Sequence, residues 1–225
     1  HGLVRNLTRG EIAAQAIGIA DFLRQEGARV DTIVVMGSGE PLENYDHVMA
    51  ALRLLHADYT LGLSYRGITL STSGIVPGMR RLAEEGLPIS LSVSLHAPTE
   101  ELRSRLMPVN RIYSLAEVLR AAQYYAKKTK RRVTYEYILI RDVNDGVHEA
   151  EQLACLLRGQ LASVNLIPIN PVEERQFYRP EKHTIRRFQR VLEERHITVT
   201  LRREMGTDIQ AACGQLRNRL LVAGL

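Results

Sequence analysis

A chain of 225 residues with 45 % hydrophobic and 24 % charged residues can bury a sizeable core, and its composition excludes a disordered or fibrous protein. The net charge of +5 and a pI near 9.4 point to an acidic partner such as nucleic acid; of the 30 basic residues only Lys127, Lys128, Lys130 and Lys182 are lysine, and the arginine forks suit phosphate and base contacts. No apolar run is long enough to span a bilayer, and two cysteines, Cys155 and Cys213, exclude a disulfide scaffold and fit a reducing cytoplasm.

The chain opens on His1-Gly-Leu-Val-Arg-Asn, without an initiator methionine or the apolar core of a signal peptide, and is expected to start inside a longer reading frame. Thr8-x-x-Glu11 is a capping box, Ile12, Ala16, Ile19, Ala20 and Leu23 follow at helical spacing, and Gly27 ends that helix. Thr32-Ile-Val-Val-Met36 reads as a buried strand. A helix over 46–58, a strand over 67–72, a helix over 76–86 and a strand over 88–95 come next. Helix 114–129 then precedes strand 132–139, helix 147–158 precedes strand 163–168, and helix 182–195 leads to strand 197–201.

Strands separated by helices predict βαβ units and an α/β fold with a parallel sheet. The alternation alone fits a barrel or a doubly wound sheet. The distinctive polar residues, however, follow four different strands: Gly37-Ser-Gly-Glu40, Ser71-Thr-Ser-Gly74, Ser94-Leu-His96 and Asn170. A (β/α) barrel builds its site at the C-terminal ends of several strands, whereas a doubly wound sheet concentrates it at one switch point, so a barrel is favoured.

Each motif has a chemical and a plainer reading. In Met36-Gly-Ser-Gly-Glu-Pro-Leu42 the glycines would let a ligand approach the backbone, and Glu40 could hold a cationic group; a tight turn with a solvated glutamate would give the same pattern. Ser71-Thr-Ser-Gly74 could cradle ribose or carboxylate oxygens, or cap the next helix. His96 could serve a ligand or be structural. Arg103-Ser-Arg-Leu-Met-Pro-Val-Asn110 could hold phosphate, or be an exposed helix end beside a proline-bounded loop. Asp142-Val-Asn-Asp-Gly146 begins like a calcium loop, but Leu153 stands where the final glutamate belongs, which leaves an Asx-rich turn. Cys155, among Leu153, Leu156 and Leu157, is assigned to the core; Cys213 lies among small residues, where a thiol is approachable.

Met-Gly-x-Gly-Glu-Pro-Leu, Leu-Ser-Thr-Ser-Gly, Ser-Leu-His-Ala-Pro, Leu-Met-Pro-Val-Asn, Ile-Pro-x-Asn-Pro and Ala-Ala-Cys-Gly-Gln-Leu occur here in that order, from about Arg5 to Leu216. Together they resemble the dual-specificity rRNA/tRNA adenine-C2 methyltransferases of the radical S-adenosylmethionine (SAM) superfamily. The resemblance implies one partial (β/α) barrel domain over residues 1–225, lacking its first strand, that uses SAM and a 4Fe-4S cluster to methylate adenine C2 in 23S rRNA and tRNA. It implies SAM contacts at Gly39, Glu40, Ser71, Ser94, Leu95, His96 and Asn170, and a methyl-carrying thiol at Cys213. It also implies a monomeric cytoplasmic enzyme with an electron donor such as flavodoxin. The cluster motif C-x-x-x-C-x-x-C would lie upstream of His1, so the chain itself offers no metal ligands and is expected not to complete turnover alone. The sister activity at adenine C8, or a cluster-free RNA-binding paralogue, would share much of this pattern.

Overall fold

The computed structural model of the chain describes residues 3–37, 39–170 and 176–202. Six strands follow one another in sheet order β1-β2-β3-β4-β5-β6, interleaved with helices. They are β1 (Ile33–Val35), β2 (Ile68–Thr72), β3 (Ser90–Ser94), β4 (Val133–Leu139), β5 (Ala162–Pro168) and β6 (Thr198–Leu201). The chain divides into two compact units, His1–Val93 with Ala116–Val133, and Ser94–Leu115 with Thr134–Leu225.

The first unit begins with α1 (Arg9–Gln25), whose start is the anticipated capping box: Glu11 N–H donates to Thr8 Oγ1 at 3.3 Å, and Thr8 N–H donates to Glu11 Oε2 at 2.8 Å. Arg5 also binds the Glu11 carboxylate, and that hydrogen bond is the main reason its pKa falls to about 2. Gly27 ends the helix at φ +69°, where Ala28 N–H returns to Leu23 O at 2.9 Å. Ala13 of α1 packs on Ala51 and Leu55 of α2 (Tyr45–His56). β1 pairs β2 in parallel with Ile33 opposite Ile68, and β2 pairs β3 with Leu70 opposite Leu91. α3 (Val76–Glu84) buries Met79, Leu82 and Ala83, and α5 (Leu115–Thr129) sends the Tyr125 hydroxyl to Ile89 O at 2.5 Å, just ahead of β3.

In the second unit β5 pairs β6 in parallel with Val164 opposite Val199. α6 (Val147–Leu157) buries Ala150, Leu153, Ala154 and Leu157, and α7 (Lys182–Glu194) buries Ile185, Phe188 and Leu192. The Phe188 ring meets that of Tyr137 at 5.2 Å between centroids. A short helix, α4 (Glu100–Leu106), is capped by Thr99, whose hydroxyl accepts from Leu102 N–H at 3.2 Å.

Three expectations need correction. β1 is not buried: Val34 is 55 % exposed, and among the described strands β1 has a neighbour on one side only, which leaves less of the molecule to cover its faces. Cys155 is exposed rather than in the core, since the inward stripe of α6 runs through Ala150, Leu153, Ala154 and Leu157 and turns residue 155 outward. Arg103 is neither a surface phosphate ligand nor an exposed helix end: it is fully buried. Strands and helices otherwise fall within a few residues of the sequence expectation, and the parallel, open sheet is that of a partial (β/α) barrel.

Candidate SAM-binding site

In the first unit the site is built from two strand ends. Glu40 follows β1 and caps the turn Pro41–Asn44, its Oε1 accepting from Leu42 N–H at 3.1 Å. Its Oε2 accepts from both the N–H and the hydroxyl of Ser73, each at 2.7 Å. The carboxylate therefore ties the loop after β1 to the loop after β2, and it is not a freely solvated side chain. Three of the carboxylate's about four acceptor sites are thus taken, both of those on Oε2, which leaves Oε1 a lone pair for a cation. Thr72 closes the second loop, its Oγ1 accepting from Gly74 N–H at 3.1 Å and Ile75 N–H at 3.4 Å. α3 itself has no side-chain cap, so these hydroxyls serve the turn rather than the helix. Ser71 is buried at the end of β2, and the backbone of Gly39 faces open space.

In the second unit Ser94, Leu95 and His96 leave β3 beside β4. The N–H groups of Leu95 and His96 both donate to Glu136 O, at 3.0 and 3.3 Å, and the Ser94 hydroxyl donates to Glu136 Oε2 at 3.3 Å. Leu95 is fully buried, so its side chain belongs to the core. His96 adopts φ +61°, a left-handed conformation uncommon for a residue with a side chain. Its Nδ1 accepts from Ile138 N–H at 3.2 Å, and its carbonyl accepts from Asn144 Nδ2 at 2.8 Å. Burial first, and then the positive charge of Arg103, push the His96 pKa down to about 4, against a smaller upward pull from its backbone bond to Glu136. The ring is therefore neutral near pH 7, with its proton on Nε2.

Two buried polar residues hold this loop. Asn144 comes from the Asx-rich turn: Oδ1 accepts from Ile140 N–H at 2.7 Å, and Nδ2 also donates to Ile138 O at 2.6 Å. Arg103 donates to Asn110 Oδ1 at 2.6 Å and to Ser94 O at 3.3 Å. Desolvation lowers its pKa to about 10, partly opposed by Glu100. Asn170 follows β5 directly, next to Ile169, whose N–H donates to Leu139 O at 3.0 Å at the end of β4.

In each unit the expected residues stand at or just after strand ends: Gly39, Glu40 and Ser71 in one, Ser94, Leu95, His96 and Asn170 in the other. Glu136 and the inward role of Arg103 were missed, and Ser73 and Asn144 stood in motifs already singled out but without their partners Glu40 and His96. A carboxylate in the middle of the apolar run Val133–Leu139 was the one signal that could have revealed Glu136. Cys213 lies outside the described residues. Among the described residues no three His, Cys, Asp or Glu side chains could hold a metal ion, so they do not fit an iron–sulfur cluster. No described helix is long and apolar enough to cross a membrane.

The family profile described as the Radical SAM superfamily matches residues 7–154. The chain belongs to the radical SAM superfamily. It is 65 % identical over 219 residues to a protein of Symbiobacterium thermophilum named "Probable dual-specificity RNA methyltransferase RlmN", covering 97 % of this chain and 59 % of that one. A protein of the same name from Desulforamulus reducens is 50 % identical over 219 residues, 97 % of this chain and 62 % of its own length. The crystal structure of a radical SAM methyltransferase from Sphaerobacter thermophilus superposes with a TM-score of 0.92 at 48 % identity, over 95 % of this chain and 63 % of the other. This radical SAM chain therefore spans about three fifths of the length of the relatives it matches.

Proposed function

We propose that this chain is the SAM-binding barrel of an RNA methyltransferase that adds a methyl group to adenine C2 in 23S rRNA and tRNA. The observation that carries the reading is the pairing of Glu40 with Ser73, which supports a fixed carboxylate at a strand end inside a chain 65 % identical to a protein named as an RNA methyltransferase. SAM would supply the methyl group and a cationic amino acid head. Glu40 would accept the ammonium, the Ser71 and Ser94 hydroxyls and the Asn170 amide would bind oxygens and nitrogens of the nucleoside or carboxylate, and the neutral His96 would offer its Nε2–H as a donor without adding positive charge. Gly39 would let the ligand lie against the backbone. The thiol of Cys213 is the proposed acceptor of the methyl group before its delivery to adenine.

Glycine spacing, hydroxyls at strand ends and the Ala-Ala-Cys-Gly-Gln-Leu segment support this assignment together. An electron donor such as flavodoxin, a cytoplasmic setting and a monomeric state belong to the same reading. The test is calorimetric titration of the chain with SAM, followed by mass spectrometry of the Cys213 peptide and of adenosines from RNA methylated by the parent enzyme. SAM binding weakened by Glu40→Gln and a 2-methyladenosine product support the reading. An 8-methyladenosine product would reassign the regiochemistry, and no SAM binding would refute the site.

A further inference from the structure

The charges of α7 run against the stability of the helix that carries them. Lys182, His183, Arg186, Arg187 and Arg190 are all exposed, and no acidic residue lies between Lys182 and Glu193. The first turn holds no acid and the last turn no base. A helix N-terminus carries partial positive charge and favours anions, so Lys182 opposes it and only the N-cap Glu181 complements it. Lys182 with Arg186, and Arg186 with Arg190, are like charges four residues apart, neighbours on one face that repel. Among the described residues none of Lys182, Arg186, Arg187 and Arg190 has a carboxylate at ion-pair distance; nearby, His183 Nδ1 lies 3.1 Å from Glu181 and Arg195 pairs with Glu151 at 3.8 Å.

The opposite face is committed to the core through Ile185, Phe188 and Leu192, so the cationic face can only look outward. The helix is the next one in the chain after β5, whose C-terminal end also carries Asn170. At its approach Tyr178 is 49 % exposed, and its carbonyl is fixed by Arg141 N–H at 2.9 Å; Arg141 is itself exposed beyond the end of β4. An exposed aromatic ring at the start of a cationic surface is the combination that binds single-stranded or flipped bases beside a tracked phosphate backbone.

We propose that the outer face of α7, with Arg141 and the Tyr178 ring at its start, is a docking surface for the phosphate backbone of the substrate RNA. A run of cations that disfavours its own helix is relieved when a polyanion lies along it. An anionic membrane fits less well, because the exposed face of α7 offers no large apolar side chain to enter lipid. The proposal rests on the RNA methyltransferase reading and gives that reading a contact surface.

The test is fluorescence anisotropy of a labelled, unmodified tRNA transcript with the full chain across a salt series. The triple variant Arg186→Gln/Arg187→Gln/Arg190→Gln is expected to weaken binding about ten- to hundredfold near 0.1 M salt and to flatten the slope of log K against log salt by roughly two to three. Its melting temperature should hold or rise. Arg186→Lys/Arg187→Lys/Arg190→Lys should keep the slope, and Arg80→Gln on α3 should change neither quantity. Tyr178→Ala should weaken binding at every salt concentration while leaving the slope in place. An unchanged affinity and slope in the glutamine variant, or a lost slope in the lysine variant, overturns the surface while RNA binding by the unaltered chain keeps the enzyme reading. Failure of the unaltered chain to bind tRNA, or tighter binding to phosphatidylserine vesicles than to tRNA, overturns the RNA assignment altogether, whatever its affinity for SAM.

Discussion

The backbone N–H of Ile138 donates to Nδ1 of His96 across 3.2 Å, and this one bond decides which ring nitrogen carries the proton. With Nδ1 accepting, the neutral ring must be protonated at Nε2. Protonating Nδ1 would set two donors against each other in a place where burial and Arg103 already resist charge.

A pH dependence follows with a definite sign. His96 titrates near 4 when folded against 6.5 for an ordinary histidine. Between those values the unfolded chain binds a proton that the folded chain refuses, so stability falls as pH drops from about 6.5 to about 4 and is unaffected above that window. The loss attributable to His96 is about 3 kcal/mol at most. Urea midpoints at pH 7 and pH 5 should converge between the parent and His96→Gln as the pH falls; parallel curves would contradict the assignment.

Asn144 satisfies three backbone groups from inside the fold. Asn144→Ala leaves Ile140 N–H and two carbonyls without that partner and should cost about 3 kcal/mol or more, since each buried group left unsatisfied costs about 1–3 kcal/mol. Chemical denaturation measures this directly, and a loss under about 1 kcal/mol would mean that water replaces the side chain.

Glu40→Gln should raise the dissociation constant for SAM at least about tenfold, because a charge-assisted hydrogen bond becomes a neutral one. Ser73→Ala should have a smaller effect of the same sign, since it loosens the carboxylate without removing it. Calorimetry with both variants separates charge from positioning: equal losses would make Ser73 a ligand contact in its own right.

Behind that loop, a Cβ on Gly78 would come 2.7 Å from Leu42 Cβ. Gly78→Ala must push away the turn that follows Glu40 and should destabilise by about 1–3 kcal/mol, as overpacked sites do. Thermal melts should show this loss, and SAM affinity should fall with it.

Cys155→Ser should change stability by less than about 0.5 kcal/mol, as substitutions at exposed sites usually do, and the native chain should react with a thiol reagent at Cys155 without denaturant.

The alternation of elements was legible because periodicity and capping are local properties: Thr8, Glu11 and Gly27 do what their sequence context implies. Glu40 and His96 were legible as strand-end residues, but their partners were not. Ser73 lies 33 residues from Glu40, and Ile138 lies 42 from His96, and no local pattern encodes such pairings. Arg103 misled because an arginine beside others reads as surface, whereas Ser94 O and Asn110 make a buried guanidinium tenable. Cys155 misled because its leucine neighbours in sequence share its helix but not its face.

The pairings β1–β2, β2–β3 and β5–β6 join residues only 35, 21 and 35 positions apart, each time with the next strand to be synthesised. A chain leaving the ribosome can therefore lay each of these strands against the one before it as soon as the intervening helix has formed. None of the three edges waits long for a distant partner, which shortens the interval in which it could pair with another molecule instead.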